Sequence, residues 1–356
     1  MYTYMDYVQQ QFHAATGWSH DNNYAHVTDT VTNLLDFSVP HGFAATISAQ
    51  STPSSFSSYT LSHLGLVAGS IAYLYSSADL TTTQSQSVDL QRLVSGYHHV
   101  DPFSPRSHED GAVYHGGKRI DPCPTLLYGK MYLPGMSLEA LAVRRINPLS
   151  QIMVACVSDN RLKNNGAITA TYQRDTGRWA TDVLYSSQEA LVGARTLYNM
   201  NTGRPNRPKG RLSAGMELYY GILSKSPGMS TAIRYTTQSA YTGTPLTLTL
   251  MSNPIMGHVS ASYALRTSTA LSFASRFDFN VYSYLSDLSL GCEVWKKKND
   301  APGSEYSSVL KAAVTVTNPS LKVLWEGRFH DFLLSGGLGL GTGATPTVGL
   351  QIQYSS

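Results

Sequence analysis

The stretch Leu271–Val281 reads LSFASRFDFNV. Leu271, Phe273, Ser275, Phe277, Phe279 and Val281 fall on one parity, and Ser272, Ala274, Arg276, Asp278 and Asn280 on the other. Successive side chains of a strand point to opposite faces, so this stretch presents a nearly continuous apolar face backed by a polar one that includes charge. The alternation runs for about ten residues, the length a tilted strand needs to cross a bilayer, whereas sandwich strands average about five or six. Apolar side chains against lipid and polar ones against a water-filled lumen account for both faces at once.

The pattern extends outward from there. Leu246, Leu248 and Leu250 alternate with Thr247 and Thr249, and Val259, Ala261, Tyr263 and Leu265 alternate with Ser260, Ser262, Ala264 and Arg266. Leu212, Ala214, Met216, Leu218 and Tyr220 oppose Ser213, Gly215, Glu217 and Gly221. Ile168, Ala170 and Tyr172 repeat the period, as do Leu288, Leu290, Cys292 and Val294. A soluble sandwich also alternates. It explains neither the length of these runs nor why Glu217, Arg276, Asp278 and Glu293 share a parity with Ser and Gly.

Composition agrees with a large β protein. Only 14% of the 356 residues are charged, against roughly 25% in ordinary soluble domains. The 23 Tyr and 29 Gly suit strands and turns better than long helices. No run approaches the roughly 20 apolar residues of a spanning helix, and a net charge of +3 with 10% aromatics does not hold a chain open. Cys123, Cys156 and Cys292 are scattered and form no CxxC, which predicts free thiols rather than a disulfide framework or zinc site. The first Lys or Arg is Arg92, so neither a secretory signal nor an Arg-rich presequence is expected. That fits a protein of the mitochondrial outer membrane with an internal address.

Residues 1–33 differ from the rest. Met5, Val8 and Phe12 follow a helical spacing, and Tyr2–Ala15 lacks Gly and Pro, so a short amphipathic helix ending near Gly17 is predicted. We expect this segment to lie in the lumen of a barrel formed by residues 34–356. Residues from about 78 to 124 include His98, His99, Asp101, Pro102, Pro105, Gly116, Gly117, Pro122 and Pro124 and are read as one long loop, functional or disordered. Dividing the remaining chain by about 14 residues per strand and turn predicts about 18 to 20 strands.

Nothing marks an enzyme. There is no G-x-S-x-G elbow, and Gly336–Gly341 lacks the Lys-Ser/Thr and the βαβ context of a phosphate loop, so it is read as a glycine-rich curved strand. His98 and His99 with Asp101 are read as a solvated polar tract, and Lys296, Lys297 and Lys298, at the base of a loop reaching about Gly303, as headgroup-level or solvated charge. No catalytic residue, cofactor, metal or nucleic acid is expected.

Short segments spread along the chain resemble one family, the fungal mitochondrial distribution and morphology protein ten, a barrel related to the outer-membrane porins. They include Tyr4-Met5-Asp6, Thr32-Asn33-Leu34-Leu35-Asp36-Phe37, Ser51-Thr52-Pro53-Ser54-Ser55-Phe56, Tyr73-Leu74-Tyr75-Ser76, Tyr172-Gln173-Arg174-Asp175, Asp278-Phe279-Asn280, Gly291-Cys292-Glu293 and Leu324-Trp325-Glu326-Gly327. The chain lacks the longer polar insertion the family would place between Trp295 and Leu321. The resemblance implies a 19-stranded all-β transmembrane barrel whose first and last strands pair in parallel. It also implies two memberships. One anchors the endoplasmic reticulum–mitochondria encounter structure through its lipid-transfer subunits. The other joins the barrel-assembly subunits of the sorting and assembly machinery, which handle the receptor and channel subunits of the translocase.

Thr347, Gly349, Ile352 and Tyr354 then fit the polar, Gly, hydrophobic, hydrophobic spacing of the β-signal recognised by that machinery. A terminal strand can pair edge-on with a receptor strand, and Gly allows close approach. Tyr73 with Tyr75, and Phe277 with Phe279, each share a face, and we expect the two patches to dock different complexes; an ordinary aromatic girdle is the competing account. The competing function is a voltage-dependent anion channel-type metabolite pore lined by Arg234, Arg266 and Arg276.

Overall fold

The computed structural model describes residues 1–80, 88–100, 113–115, 118–120, 123–159, 165–201, 210–237, 244–298, 306–342 and 344–355. Nineteen strands, from Gly42–Thr52 to Ala344–Ser355, form one closed ring. Strands adjacent in sequence pair antiparallel, while the first and last pair in parallel, from Gly42↔Gly349 to Ser48↔Ser355. Direction alternates from strand to strand, so an odd number leaves the two end strands pointing the same way. The expected count and the parallel seam are both observed.

Most connections are short turns. Gly65 alone joins Ser55–Leu64 to Leu66–Ser76 with Leu64 and Leu66 directly paired. Its φ of +80° is one that a side chain rarely tolerates. Because strand directions alternate, Ser76, Thr125 and the last residue of the barrel lie at one rim, and Gly42 at the other.

The two parities separate as the pattern requires. Ile47, Tyr59, Leu61, Leu250 and Phe277 are exposed on the outer wall, while Ser48, Thr247, Thr249, Ser272 and Glu293 are buried on the inner one. Among the described residues no helix is long and apolar enough to cross a membrane, and the strands carry the apolar surface.

The lumen is filled by the chain itself. Helix α1 (Tyr4–Ala15) opens with a capping box in which Thr3 and Asp6 exchange hydrogen bonds, satisfying free N–H groups of the first turn. Its spacing puts Met5, Val8 and Phe12 on one buried face, packed in a cluster with Phe56, Leu74, Leu126 and Val143 of the wall. A 3₁₀ turn (Tyr24–His26) and helix α2 (Asp29–Leu35) follow, and the segment leaves at Gly42. Residues 78–124, read as a single loop, contain a short helix α3 (Leu90–Leu93) and a hairpin of Val113–His115 with Lys118–Ile120. Val88, Leu90, Leu93 and Val94 pack into the same cluster as α1. These apolar residues fold inward because the inner wall around them also carries Leu74, Leu126 and Val143. The loop read between Lys296 and Gly303 lies outside the described residues from position 299.

Candidate functional site

An inner wall rich in charge, closed over by a plug, must pair each charge it buries. The functional side chains are therefore found where wall and N-terminal segment meet. Buried Arg234 donates through Nη2 to the Asp21 carbonyl at 3.2 Å and through Nη1 to that of His26 at 3.4 Å. Arg211 donates to Oδ1 of Asn199 at 3.0 Å and to Oδ1 of Asn22 at 3.1 Å. Asn199 also donates to Asn22 at 2.6 Å. Arg276 reaches both Asp36, at 3.0 Å from Nη2 to Oδ1, and Asp278 at 3.0 Å. Two of the three arginines expected to line a conducting path thus hold the segment at residues 21–36. Arg266 instead donates to the Thr269 carbonyl at 2.8 Å.

A second group ties down residues 93–98. Glu293 accepts from the Tyr97 backbone N–H at 2.9 Å and from the Trp295 indole. Lys311 donates to the Ser95 carbonyl at 2.7 Å and faces Glu326 at 3.0 Å, and the Met1 ammonium meets the same carboxylate. The His98 ring, read as part of a solvated tract, is instead bonded to Asp21 at 2.7 Å; Asp101 lies outside the described residues. Apart from Glu293 with Trp295, the sequence pattern could not supply these pairs, because they join positions well separated in the chain.

A cavity of ≈ 610 Å³ remains beside α1, lined in part by Gln10, His13, Arg92, Tyr97 and Arg266. Burial lowers the His13 imidazole to about 4, helped by the nearby charges of His20 and Arg145, and raises the Tyr4 phenol to about 12. Among the described residues, the group that could hold a metal ion is His20, His26 and Asp29, whose ligand atoms lie within 4.8 Å of one another. There His26 Nδ1 is already 2.8 Å from the Asp29 carboxylate.

Small residues on the inner wall seat the segment. A Cβ on Gly291 would lie 2.8 Å from the Leu34 carbonyl, and one on Gly337 would lie 2.8 Å from Val39. Glycine at a lumen-facing position of an otherwise regular strand was the sequence signal for these seats. Gly349 is the tightest of them, with its added Cβ 2.3 Å from the Pro40 carbonyl. It belongs to the terminal strand, where Thr347 shares its inward parity while Ile352 and Tyr354 take the outward one. All four therefore lie on the strand that forms the parallel seam, Thr347 just before its paired stretch.

Tyr73 and Tyr75 point outward at the rim where Ser76 and Thr125 lie. Phe277 is exposed and Phe279 half-buried on the outer face of Leu271–Asn280, at the opposite rim. The two pairs are eight strands apart by the shorter way around the ring, so the fold keeps them separate.

The sequence model of one family, described as "Mitochondrial distribution and morphology protein 10", matches residues 1–304 and 298–356. Three proteins of that name are similar along their length. The one from Yarrowia lipolytica is 46% identical and that from Sclerotinia sclerotiorum 42% identical, each over 100% of both chains. The one from Meyerozyma guilliermondii is 36% identical over 95% of this chain and 94% of its own.

Proposed function

Since the chain belongs to the mitochondrial distribution and morphology protein 10 family, we propose that this barrel is a non-enzymatic scaffold of the mitochondrial outer membrane with two alternating memberships. In one it anchors the endoplasmic reticulum–mitochondria encounter structure, where lipid-transfer subunits exchange phospholipid. In the other it joins the sorting and assembly machinery and assists assembly of the translocase's receptor and channel subunits. The observation that carries this reading is a rigid apolar wall around a lumen plugged by its own N-terminal segment. Such a body offers partners a fixed outer surface and two rims, and inner-wall residues such as Arg234, Arg276 and Lys311 are engaged in holding the plug.

A metabolite pore of the anion-channel type is the second reading, favoured only by the basic residues on the inner wall. Arg234 and Arg276 are engaged with residues 21–36, which argues against it. Two measurements test the proposal. Affinity purification of the barrel from mitochondria should recover barrel-assembly subunits and contact-site lipid-transfer subunits in separate pools. The purified barrel in a planar bilayer should show no open, anion-selective conductance of full barrel width; such a conductance would return the pore reading to first place.

A further inference from the structure

The outer wall of a membrane barrel should be free of charge, and here it nearly is. Among the described strand residues of outward parity there is no Asp or Glu, and the basic ones other than histidine are Arg144, Arg174 and Lys296. Arg144 shares its parity with Leu138 and Ile146, and Arg174 with Ile168 and Tyr172, which are exposed on the outer face. Both arginines are themselves exposed. The barrel-strand arginines Arg145, Arg195, Arg211, Arg234, Arg266, Arg276 and Arg328 all bond to protein groups, but among the described residues neither of these two makes a hydrogen bond or ion pair with protein.

The two lie close together at one rim. Ile152 pairs with Arg144 on one side and with Tyr172 on the other, so Arg174 is two strands across and two residues further along. That separation is about 12 Å between Cα atoms, short enough for two arginine side chains to converge. Both are near the ends of their strands, at the rim where Ser76 and Thr125 lie. The adjoining turn adds Arg178, whose Nε and Nη2 donate to the Tyr198 hydroxyl at 3.0 and 2.5 Å. The Trp179 ring lies tilted against that of Tyr198, with ring centroids 4.5 Å apart. Aromatic rings of this kind sit at headgroup level, which places the guanidinium groups at the depth of lipid phosphates.

We propose that the outer face spanning Ser137–Asn147 to Leu191–Asn201 is a binding site for the headgroup of an anionic glycerophospholipid, with Arg144 and Arg174 as its phosphate ligands. A planar guanidinium offers paired N–H donors that match phosphate oxygens. On a lipid-facing wall such donors have no other partner, and the absence of outward Asp and Glu gives the patch one sign. Trp179 and Tyr198 border the headgroup, and Val154 and Ile168, of the same outward parity and further from this rim, offer a bed for acyl chains. The inference rests on the barrel lying in a bilayer and on neither of the two complexes.

Native mass spectrometry of the full-length barrel, titrated in neutral detergent with phosphatidylglycerol or with phosphatidylcholine, tests the site. The wild type should retain the anionic lipid in preference. Arg144→Gln and Arg174→Gln should each weaken that retention about fivefold and the double variant about 25-fold, at about one surface-charge increment per residue. Phosphatidylcholine retention should be unchanged, and Lys296→Gln, on a distant strand, should change neither. Excess inorganic phosphate should fail to displace the lipid, because the acyl chains contribute. If the double variant holds the anionic lipid as the wild type does, the site is wrong. That is also the outcome expected if these arginines serve an acidic protein surface instead. Displacement by inorganic phosphate would equally remove the lipid from the proposal. Should the Gln variants not assemble, quenching of Trp179, read as the difference between the wild-type barrel and Trp179→Phe because the chain has 4 Trp, decides: a brominated anionic lipid should quench more than its phosphatidylcholine counterpart, and equal quenching overturns the site.

Discussion

Nζ of Lys311 lies 3.0 Å from Oε2 of Glu326, both side chains with no solvent exposure, on neighbouring strands. Lys311 is in register with Leu324, so Glu326 is its diagonal neighbour on the inner face. The pair sits where the wall meets the Ser95 carbonyl and the first residue of the chain, and it therefore couples the wall to both elements of the plug. Glu326→Gln strands the Lys311 ammonium in a dry site, a class of change that costs about 3–5 kcal/mol. We expect faster proteolysis of residues 1–36 in that variant. Replacing both partners with apolar residues of similar volume should restore much of the protection; if the double replacement is as labile as Glu326→Gln, the pair is not what holds the plug.

The parallel seam has its own weak point. Gly349 pairs with Gly42, and any Cβ there meets the Pro40 carbonyl at 2.3 Å. Gly349→Val should block closure of the ring, lowering the yield of the folded barrel after import into isolated mitochondria, read as its native-gel band. Ile352→Ala, which removes only outward packing, should assemble at a higher yield. Equal yields would show that the close approach at Gly349 is not limiting.

Docking of α1 should depend on pH through His13. Its imidazole is held at about 4 in the folded state, below its ordinary value of about 6.5, so the undocked segment binds the proton more readily. The contribution of a neutral His13 is complete above about pH 6.5 and is lost progressively as pH falls toward about 4. Hydrogen exchange of the α1 amides should therefore quicken on acidification across that window. His13→Gln should flatten the response, and an unaltered response in that variant would assign the effect to other groups.

The two outward aromatic pairs sit at opposite rims, eight strands apart. Tyr73→Ala/Tyr75→Ala and Phe277→Ala/Phe279→Ala barrels should each lose a different set of co-purifying subunits from mitochondria. Loss of one common set, or of nothing by either variant, would leave the aromatics as a girdle.

Much of the wall was legible from residue parity. The run at Leu271–Val281 could be sorted into outward Phe273 and Phe277 and inward Ser272 and Asp278 because a strand's side-chain period is local and equals two. Residue arithmetic reached about 18 to 20 strands, since each crossing and its turn consume a nearly constant length. The helix at Tyr4–Ala15 was likewise readable from the spacing of Met5, Val8 and Phe12.

What parity could not reach was the filling of the lumen. Nothing local to Arg234 says that it will hold the carbonyls of Asp21 and His26, and nothing local to Leu90 or Val94 says that a stretch read as loop will turn inward onto Phe12. Those contacts arise only once the ring has closed and its buried inner charges must find partners. The same division holds for the outer charges. Their outward parity was written in the sequence, but the placing of Arg144 and Arg174 near one another at one rim exists only because strand register puts Ile152 between Arg144 and Tyr172.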